Sequence, residues 1–296
     1  MQVKISRTDQ DRAEHFRDFL QLLVEKFQPT RIISFGTQTE LNEISGCFAS
    51  RQIKHQHHCL LVCTESSARI EYEVQDFANT HYHEGQVTIL CHGEATVQEK
   101  TQSDSRFFAT VLSQGKPLYT RDGFFDLEFK PIVHPATVLE KAEKHYFHRI
   151  SLARGFLESA FASLQKGQYN ISTFLLHQAV EQSLIVLIRV HIDYRSEFHN
   201  LHRLLGLTRC FSDLPIQLMI GDRPADKKVF SLLTSSYGRA RYAPEFHVGQ
   251  KDAEELYQKA ASLFELAKTM CAAKMEAFAA EVPSMTLRPE NDSNHD

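Results

Sequence analysis

The sequence lacks tryptophan, any CxxC cysteine pair and any large excess of one charge. No run of about 18 apolar residues occurs, which predicts a chain without a membrane span. The 33 Lys and Arg residues against 37 Asp and Glu residues give a formal charge of −4, which excludes a strongly basic nucleic-acid coat and leaves a local basic patch open. The six scattered cysteines and the polar, non-signal-like first residues predict reduced thiols in a cytoplasmic protein.

The sequence is long for one domain and rich in histidine. Its 296 residues favour two domains, because one domain commonly has about 100–200 residues. The 16 histidines include a cluster at His55, His57 and His58, next to Cys59, which could bind zinc or copper. In a strand, His57 and Cys59 share one face, and two ligands are fewer than a stable zinc site usually has. We therefore interpret the cluster as the polar beginning of a strand, and we predict no metal and no cofactor.

The first part of the chain has the pattern of a small sheet with helices. Apolar residues at helical spacing predict a helix over 9–27, which Pro29 ends. Continuous apolar runs predict three buried strands, at 31–35, 58–63 and 87–91. A long loop is predicted between the first two strands and a helix between the last two. Residues 104–123 predict a helix, a tight turn and a short strand.

After Pro131 and Pro135 the pattern becomes helical. An apolar stripe at i, i+4, i+7 and i+8, starting at Val180, predicts the core helix of a bundle. The predicted helices are near 136–166, 168–193, 197–207, 225–241 and 251–281. The fold class is therefore α+β: an α/β domain over 1–130, an all-α helical bundle over 131–282 and a disordered tail over 283–296.

Gly36-Thr37 at the end of the first strand, followed by a second apolar strand through 60–62, resembles the minimal, polymerase-β-type nucleotidyltransferase fold. In that family a Gly-Ser pair lets backbone amides approach a triphosphate, and an Asp-x-Asp pair holds divalent metal. The resemblance implies a phosphate-binding role for Gly36 and Thr37. The carboxylate positions fall on His57 and Cys59, which are poor ligands for magnesium. We therefore predict a domain that is inactive in nucleotidyl transfer.

Four further strings carry a second resemblance. Residues 105–119 are similar to the segment that ends nucleotidyltransferase-like domains fused to HEPN domains. The His-Gln-Ala-x-Glu string within 174–184, the His-Asn-Leu string at 199–201 and the Tyr…Ala-Arg-Tyr string within 236–242 resemble HEPN motifs, in the right order. Together they cover about 30–270 and imply a degenerate nucleotidyltransferase-like domain fused to a HEPN bundle.

The HEPN resemblance implies a nucleotide- or RNA-binding groove lined by His177, Glu181, Arg239 and Arg241. His177 and Glu181 are i and i+4 and share a helix face, which an arginine could approach. The alternative is a polar network that only fixes helix register in a structural dimer. The resemblance also implies a homodimer and a defence or toxin–antitoxin-like setting. No membrane partner and no DNA-specific motif is predicted.

A second functional hypothesis is a metal-independent endoribonuclease. Many HEPN ribonucleases have an Arg, four to six intervening residues and a His, and Arg241 and His247 match with five residues between them. The Arg would stabilise the phosphate transition state and the His would act as general acid or base. Tyr242 and Pro244 depart from the nuclease pattern, because a small polar residue usually follows the Arg and proline breaks a helix.

Overall fold

The computed structural model describes residues 9–46, 49–66, 69–103, 105–123, 134–197, 199–221 and 223–282, with the side chains of 9–12 and 39–55 left out. The predicted disordered tail, 283–296, lies outside these residues. The fold class prediction is confirmed: a mixed sheet with helices comes first, and a helical bundle follows.

One four-stranded sheet organises the first part of the chain. Its order is β3-β2-β1-β4, with β2 parallel to β3 and the other neighbours antiparallel. The strands are β1 Arg31–Gly46, β2 Ala49–Thr64, β3 Gly85–Gly93 and β4 Lys116–Thr120. The parallel pair requires a crossover, which α2 supplies. The helices here are α1 Asp9–Phe27, α2 Glu71–His81, α3 Glu94–Gln102 and α4 Arg106–Gln114.

Both faces of this sheet are covered, which explains the continuous apolar runs. Ile32 and Leu60 belong to a core with α1 and α2 on one face. Their neighbours Ile33 and Leu61 belong to a core on the other face that continues into the helical bundle. The two parts of the chain therefore share one hydrophobic core on that side of the sheet.

The edge strand β3 is completed by a side chain. The Gln75 amide on α2 donates to the carbonyl oxygen of Val87 at 2.8 Å and accepts from the N–H of Ile89 at 2.9 Å. A neighbouring strand would make the same pair of bonds. Gln75 thus satisfies two backbone groups that an edge strand leaves unpaired.

The prediction of a long loop after the first strand is wrong. β1 and β2 extend through it as a hairpin, paired from Arg31 with Cys63 out to Gly46 with Ala49. Backbone hydrogen bonds form this ladder, and its polar sequence has no apolar run that would predict strands. Two short helices, over 94–102 and 214–220, were also not predicted.

The helices of the bundle surround α6. They are α5 Pro135–Gln165, α6 Tyr169–Ile192, α7 Leu201–Thr208, α8 Leu214–Ile220, α9 Pro224–Tyr242 and α10 Gln250–Glu281. α6 is long and apolar enough to cross a membrane by length and composition, but 72% of its apolar window is buried inside the fold. The predicted stripe from Val180 to Ile188 is fully buried, so α6 is the core helix of the bundle.

Candidate functional site

A buried carboxylate fixes an exposed imidazole on one side of α6. Glu181 Oε1 accepts a hydrogen bond from His199 Nδ1 at 2.8 Å, and the side chains are 3% and 67% exposed, respectively. His177, one turn before Glu181, is buried, and its Nδ1 lies 3.8 Å from Glu181 Oε2. Because Nδ1–H of His199 faces the carboxylate, its Nε2 lies on the opposite edge of the ring and faces solvent.

Burial sets the charge states of this pair. Burial lowers the pKa of His177 to about 4, and the nearby His199 and Arg241 act in the same direction, so His177 is neutral at pH 7. Burial also raises the pKa of Glu181, while the hydrogen bond from His199 opposes that rise. The hydrogen bond from His199 therefore favours the ionised form of Glu181.

Arg241, on α9, lies among aromatic rings next to this pair. Its guanidinium is 4.4 Å from the ring centre of Tyr237, 5.1 Å from that of Tyr242 and 5.5 Å from that of Phe174. Its Nε donates to the carbonyl oxygen of Tyr237 at 2.7 Å, and the residue is exposed. A cation on an aromatic face leaves its outer N–H groups available to an anion.

Tyr237 joins the two groups. Its ring centre is 5.1 Å from that of His177 and 6.2 Å from that of His199, whose plane is within 5° of parallel. We call this surface the α6–α9 patch, defined as Phe174, His177, Glu181, His199, Tyr237 and Arg241. It combines stacking faces, one accessible cation and one oriented imidazole.

Arg239 is not part of the patch. Two residues apart on a helix point to different sides, and Arg239 lies 3.5 Å from Glu245 Oε1 and over the ring of Phe246. Of the four predicted groove residues, the structure brings together His177, Glu181 and Arg241 and leaves Arg239 apart.

His247 lies in the segment between α9 and α10. The Asn170 side chain pins this segment, donating to the Phe246 carbonyl at 2.7 Å and accepting from the Val248 N–H at 2.9 Å. Phe246 and Val248 are buried, and His247 between them is exposed. Among the described residues, Arg241 and His247 share no hydrogen bond, ion pair or ring contact. The predicted pair is not assembled through direct contact.

Gly36 lies against Cys210, in the turn that follows α7. A Cβ on Gly36 would lie 2.7 Å from the Cβ of Cys210, so the bundle occupies the space beside this backbone. Thr37 Oγ1 is 3.5 Å from His58 Nδ1. Cys59 Sγ donates to the Gly206 carbonyl at 3.7 Å. The predicted phosphate-binding position is therefore packed against another part of the same chain.

The histidine cluster is divided between the two faces of the sheet. His57 Nε2 lies 3.3 Å from Thr88 Oγ1, whereas His58 stacks on Phe16 with ring centres 3.9 Å apart. Burial lowers the pKa of His57 to about 3 and that of His58 to about 4. The His55 side chain lies outside the description. Within the described part of the chain, no three His, Cys, Asp or Glu side chains are grouped as metal ligands.

His199 was predicted only as part of a HEPN fold motif, and its contact with Glu181 was not predicted. The two residues are 18 apart in the chain, so no helical or strand spacing connects them. The signal that was available is their membership of two neighbouring HEPN motifs. Tyr237 was missed for the same reason, because its role depends on α9 crossing α6.

Comparison with known proteins identifies the bundle. Residues 148–270 match the family model of the HEPN domain, which confirms the predicted resemblance of the bundle to HEPN domains. An archaeal HEPN homologue of known structure has 18% identity and a TM-score of 0.30, covering 47% of this chain and 99% of its own. A nucleotidyltransferase-like protein from Exiguobacterium sibiricum has 8% identity and a TM-score of 0.30, covering 90% of this chain and 80% of its own. No curated protein matches the chain.

Proposed function

We propose that the HEPN domain of this chain binds a nucleotide or single-stranded RNA at the α6–α9 patch. The observation that carries the proposal is the exposed guanidinium of Arg241 among three aromatic rings. Aromatic faces stack bases and an arginine contacts phosphate, and together these are the usual means of binding single strands. His199 Nε2, oriented by Glu181, offers a further hydrogen bond to the ligand.

Fluorescence anisotropy with a short labelled RNA tests this proposal. Arg241→Gln removes the phosphate contact and is expected to weaken binding and to reduce the salt slope of log K by about 0.7, the value for one phosphate of a single strand. Arg239→Gln is the matched control, because it removes the same charge from the same helix outside the patch. Equal effects of both substitutions would contradict the proposal, because RNA would then be bound by general charge attraction and not at the patch.

The same binding test applies to free nucleotides. A thermal-shift series with ATP, GTP and AMP is expected to raise the melting temperature for at least one of them, since a ligand of the native state stabilises it. Tyr237→Leu removes the central stacking ring and is expected to abolish the shift. A shift that survives Tyr237→Leu would place the nucleotide elsewhere.

Metal-independent RNA cleavage is a second candidate, and the pairing of His199 with Glu181 favours it. The Glu181 carboxylate accepts from Nδ1–H of His199, so Nε2 of His199 is left to act as a base. Arg241 belongs to the same cluster, because its charge lowers the pKa of the neighbouring His177. His199 is then a better candidate for the base than His247. RNA incubated with EDTA tests both: His199→Gln should abolish cleavage, and His247→Gln should not.

The N-terminal sheet is proposed to be inactive in nucleotidyl transfer. His57 and Cys59 stand where carboxylates would hold metal, and Cys210 fills the space beside Gly36. We expect no release of pyrophosphate from any nucleoside triphosphate with magnesium. The homodimer and the defence or toxin–antitoxin-like setting stay predictions, to be tested by light scattering and by growth of cells that express the chain alone.

A further inference from the structure

A cavity of about 450 Å³ lies between the N-terminal sheet and the HEPN bundle. Its walls are the exposed edge of β3 with α2 on one side, and α7 with α8 on the other. Its volume is within the range of about 300–1,000 Å³ that small-molecule sites occupy. Because each part of the chain supplies one wall, a ligand here would contact both.

Two side-chain amides line this cavity, one from each wall. Asn79, on α2, uses its Oδ1 to accept from Gln75 Nε2 at 3.0 Å. Asn200, just before α7, uses its Oδ1 to accept from the Arg203 N–H at 3.2 Å. Their bonded oxygens fix how both amides are turned, and the NH₂ group of each remains as a hydrogen-bond donor for a ligand.

Three of the remaining wall residues are apolar, and the buried cation in the wall is already engaged. Val87, Ile216 and Ile220 supply apolar surface, and Tyr72 lies at the exposed rim. The buried guanidinium of Arg203 donates to the Ile89 carbonyl at 2.8 Å and lies 3.4 Å from Glu71. Protein groups therefore already bind the Arg203 guanidinium.

Charge argues against a phosphate in this cavity. The Asp76 carboxylate is in the wall and repels an anion, while Arg203 is held by protein groups. Burial lowers the pKa of His57 to about 3 and also lowers that of His202, so both ring systems in the wall are neutral at pH 7. A flat, uncharged molecule with hydrogen-bond acceptors fits these walls.

We propose that the cavity between α2 and α7 binds an uncharged heterocycle of the nucleobase or nucleoside class, held by the amides of Asn79 and Asn200. The acceptors on such a ring match the two NH₂ donors, and its faces match the apolar wall. This site is separate from the α6–α9 patch and does not depend on phosphate recognition there.

Calorimetry and thermal shift with the full chain test the proposal. The probes are adenosine, guanosine, cytidine and uridine, each beside its monophosphate. We expect at least one nucleoside to bind and to raise the melting temperature, and its monophosphate to bind more weakly. Asn79→Leu should weaken nucleoside binding about tenfold, the equivalent of about 1.4 kcal/mol for one lost hydrogen bond.

Two further variants make the result specific. Ile220→Phe adds bulk to the apolar wall and is expected to prevent binding, whereas Glu73→Gln, on the side of α2 that faces Lys26, is the control and should bind normally. Binding that survives both Asn79→Leu and Ile220→Phe would overturn the proposal, as would the absence of binding by all four nucleosides. Arg241→Gln should leave nucleoside binding intact, so a failure at the patch is distinguishable from a failure here.

Discussion

Buried histidines make the folded chain sensitive to mild acid. Burial lowers the pKa of His57 to about 3. It lowers the pKa of five others, buried or partly buried, to about 4: His58, His92, His145, His177 and His191. In the unfolded chain each would return to the ordinary value of 6.5. Between these values the unfolded chain binds more protons than the folded chain, so stability falls as the pH falls.

The size of the effect follows from counting protons. Burial raises the pKa of Glu71 to about 7, so Glu71 holds a proton in the folded state near pH 5.5 and opposes the histidines, and burial shifts the pKa of Glu181 in the same direction. Unfolding near pH 5.5 then takes up about three to five protons net, and the free energy of unfolding falls by about 4–7 kcal/mol per pH unit. Two such pH units correspond to about 8–14 kcal/mol, which is comparable to the whole stability of a domain, about 5–15 kcal/mol.

His58→Phe isolates one of these histidines. The phenyl ring can keep the stack on Phe16, and only the 3.5 Å contact with Thr37 is lost. Removing one buried group that must stay neutral is expected to stabilise the chain by about 2 kcal/mol at pH 5 and by little at pH 8. Urea titration at both pH values measures this, with exposed His148→Gln as the control. An equal gain at pH 5 and pH 8 would refute the reasoning, because the benefit would then come from packing.

Four smaller changes test packing and edge contacts, three by urea or thermal unfolding and one by proteolysis. Gln75→Leu leaves two backbone groups of the β3 edge unpaired and should cost about 1–3 kcal/mol for each group that water does not reach. Gly36→Ala places a methyl group 2.7 Å from the Cβ of Cys210 and should cost about 1–3 kcal/mol, whereas Gly155→Ala, with open space around it in a helix, should stabilise by about 0.5–1 kcal/mol. Asn170→Leu releases the segment around His247 and should increase its proteolysis before the rest of the chain unfolds.

The sequence predicts elements where burial leaves a pattern. The stripe from Val180 to Ile188 identified α6 as a core helix, and the apolar runs located the covered parts of β1, β2 and β3. The outer hairpin of β1 and β2 forms a backbone ladder whose polar sequence carries no such pattern. Local periodicity therefore predicted the buried helix and strands, but not the outer part of the β1–β2 hairpin.

The candidate site was harder to predict because its contacts cross between elements. His177 and Glu181 were grouped correctly by helical spacing, and Arg241 joins them only because α9 packs on α6. Arg239 satisfies the same charge pattern, yet helix rotation turns it toward Glu245. Gly36 has the residue type of a phosphate loop, but Cys210, distant in sequence, occupies the adjacent space. Residue type and spacing do not encode these long-range neighbours.

The α6–α9 patch and the cavity between α2 and α7 meet at two consecutive residues. His199 holds the buried carboxylate of Glu181, and Asn200 caps α7 and lines the cavity. A ligand that orders Asn200 must also restrict His199, because one peptide bond joins them. Binding at one site is then expected to change affinity at the other, and linkage requires the same factor in both directions. RNA affinity measured with and without a saturating nucleoside, and the reverse titration, give the two factors; a factor of one in both titrations would refute the coupling.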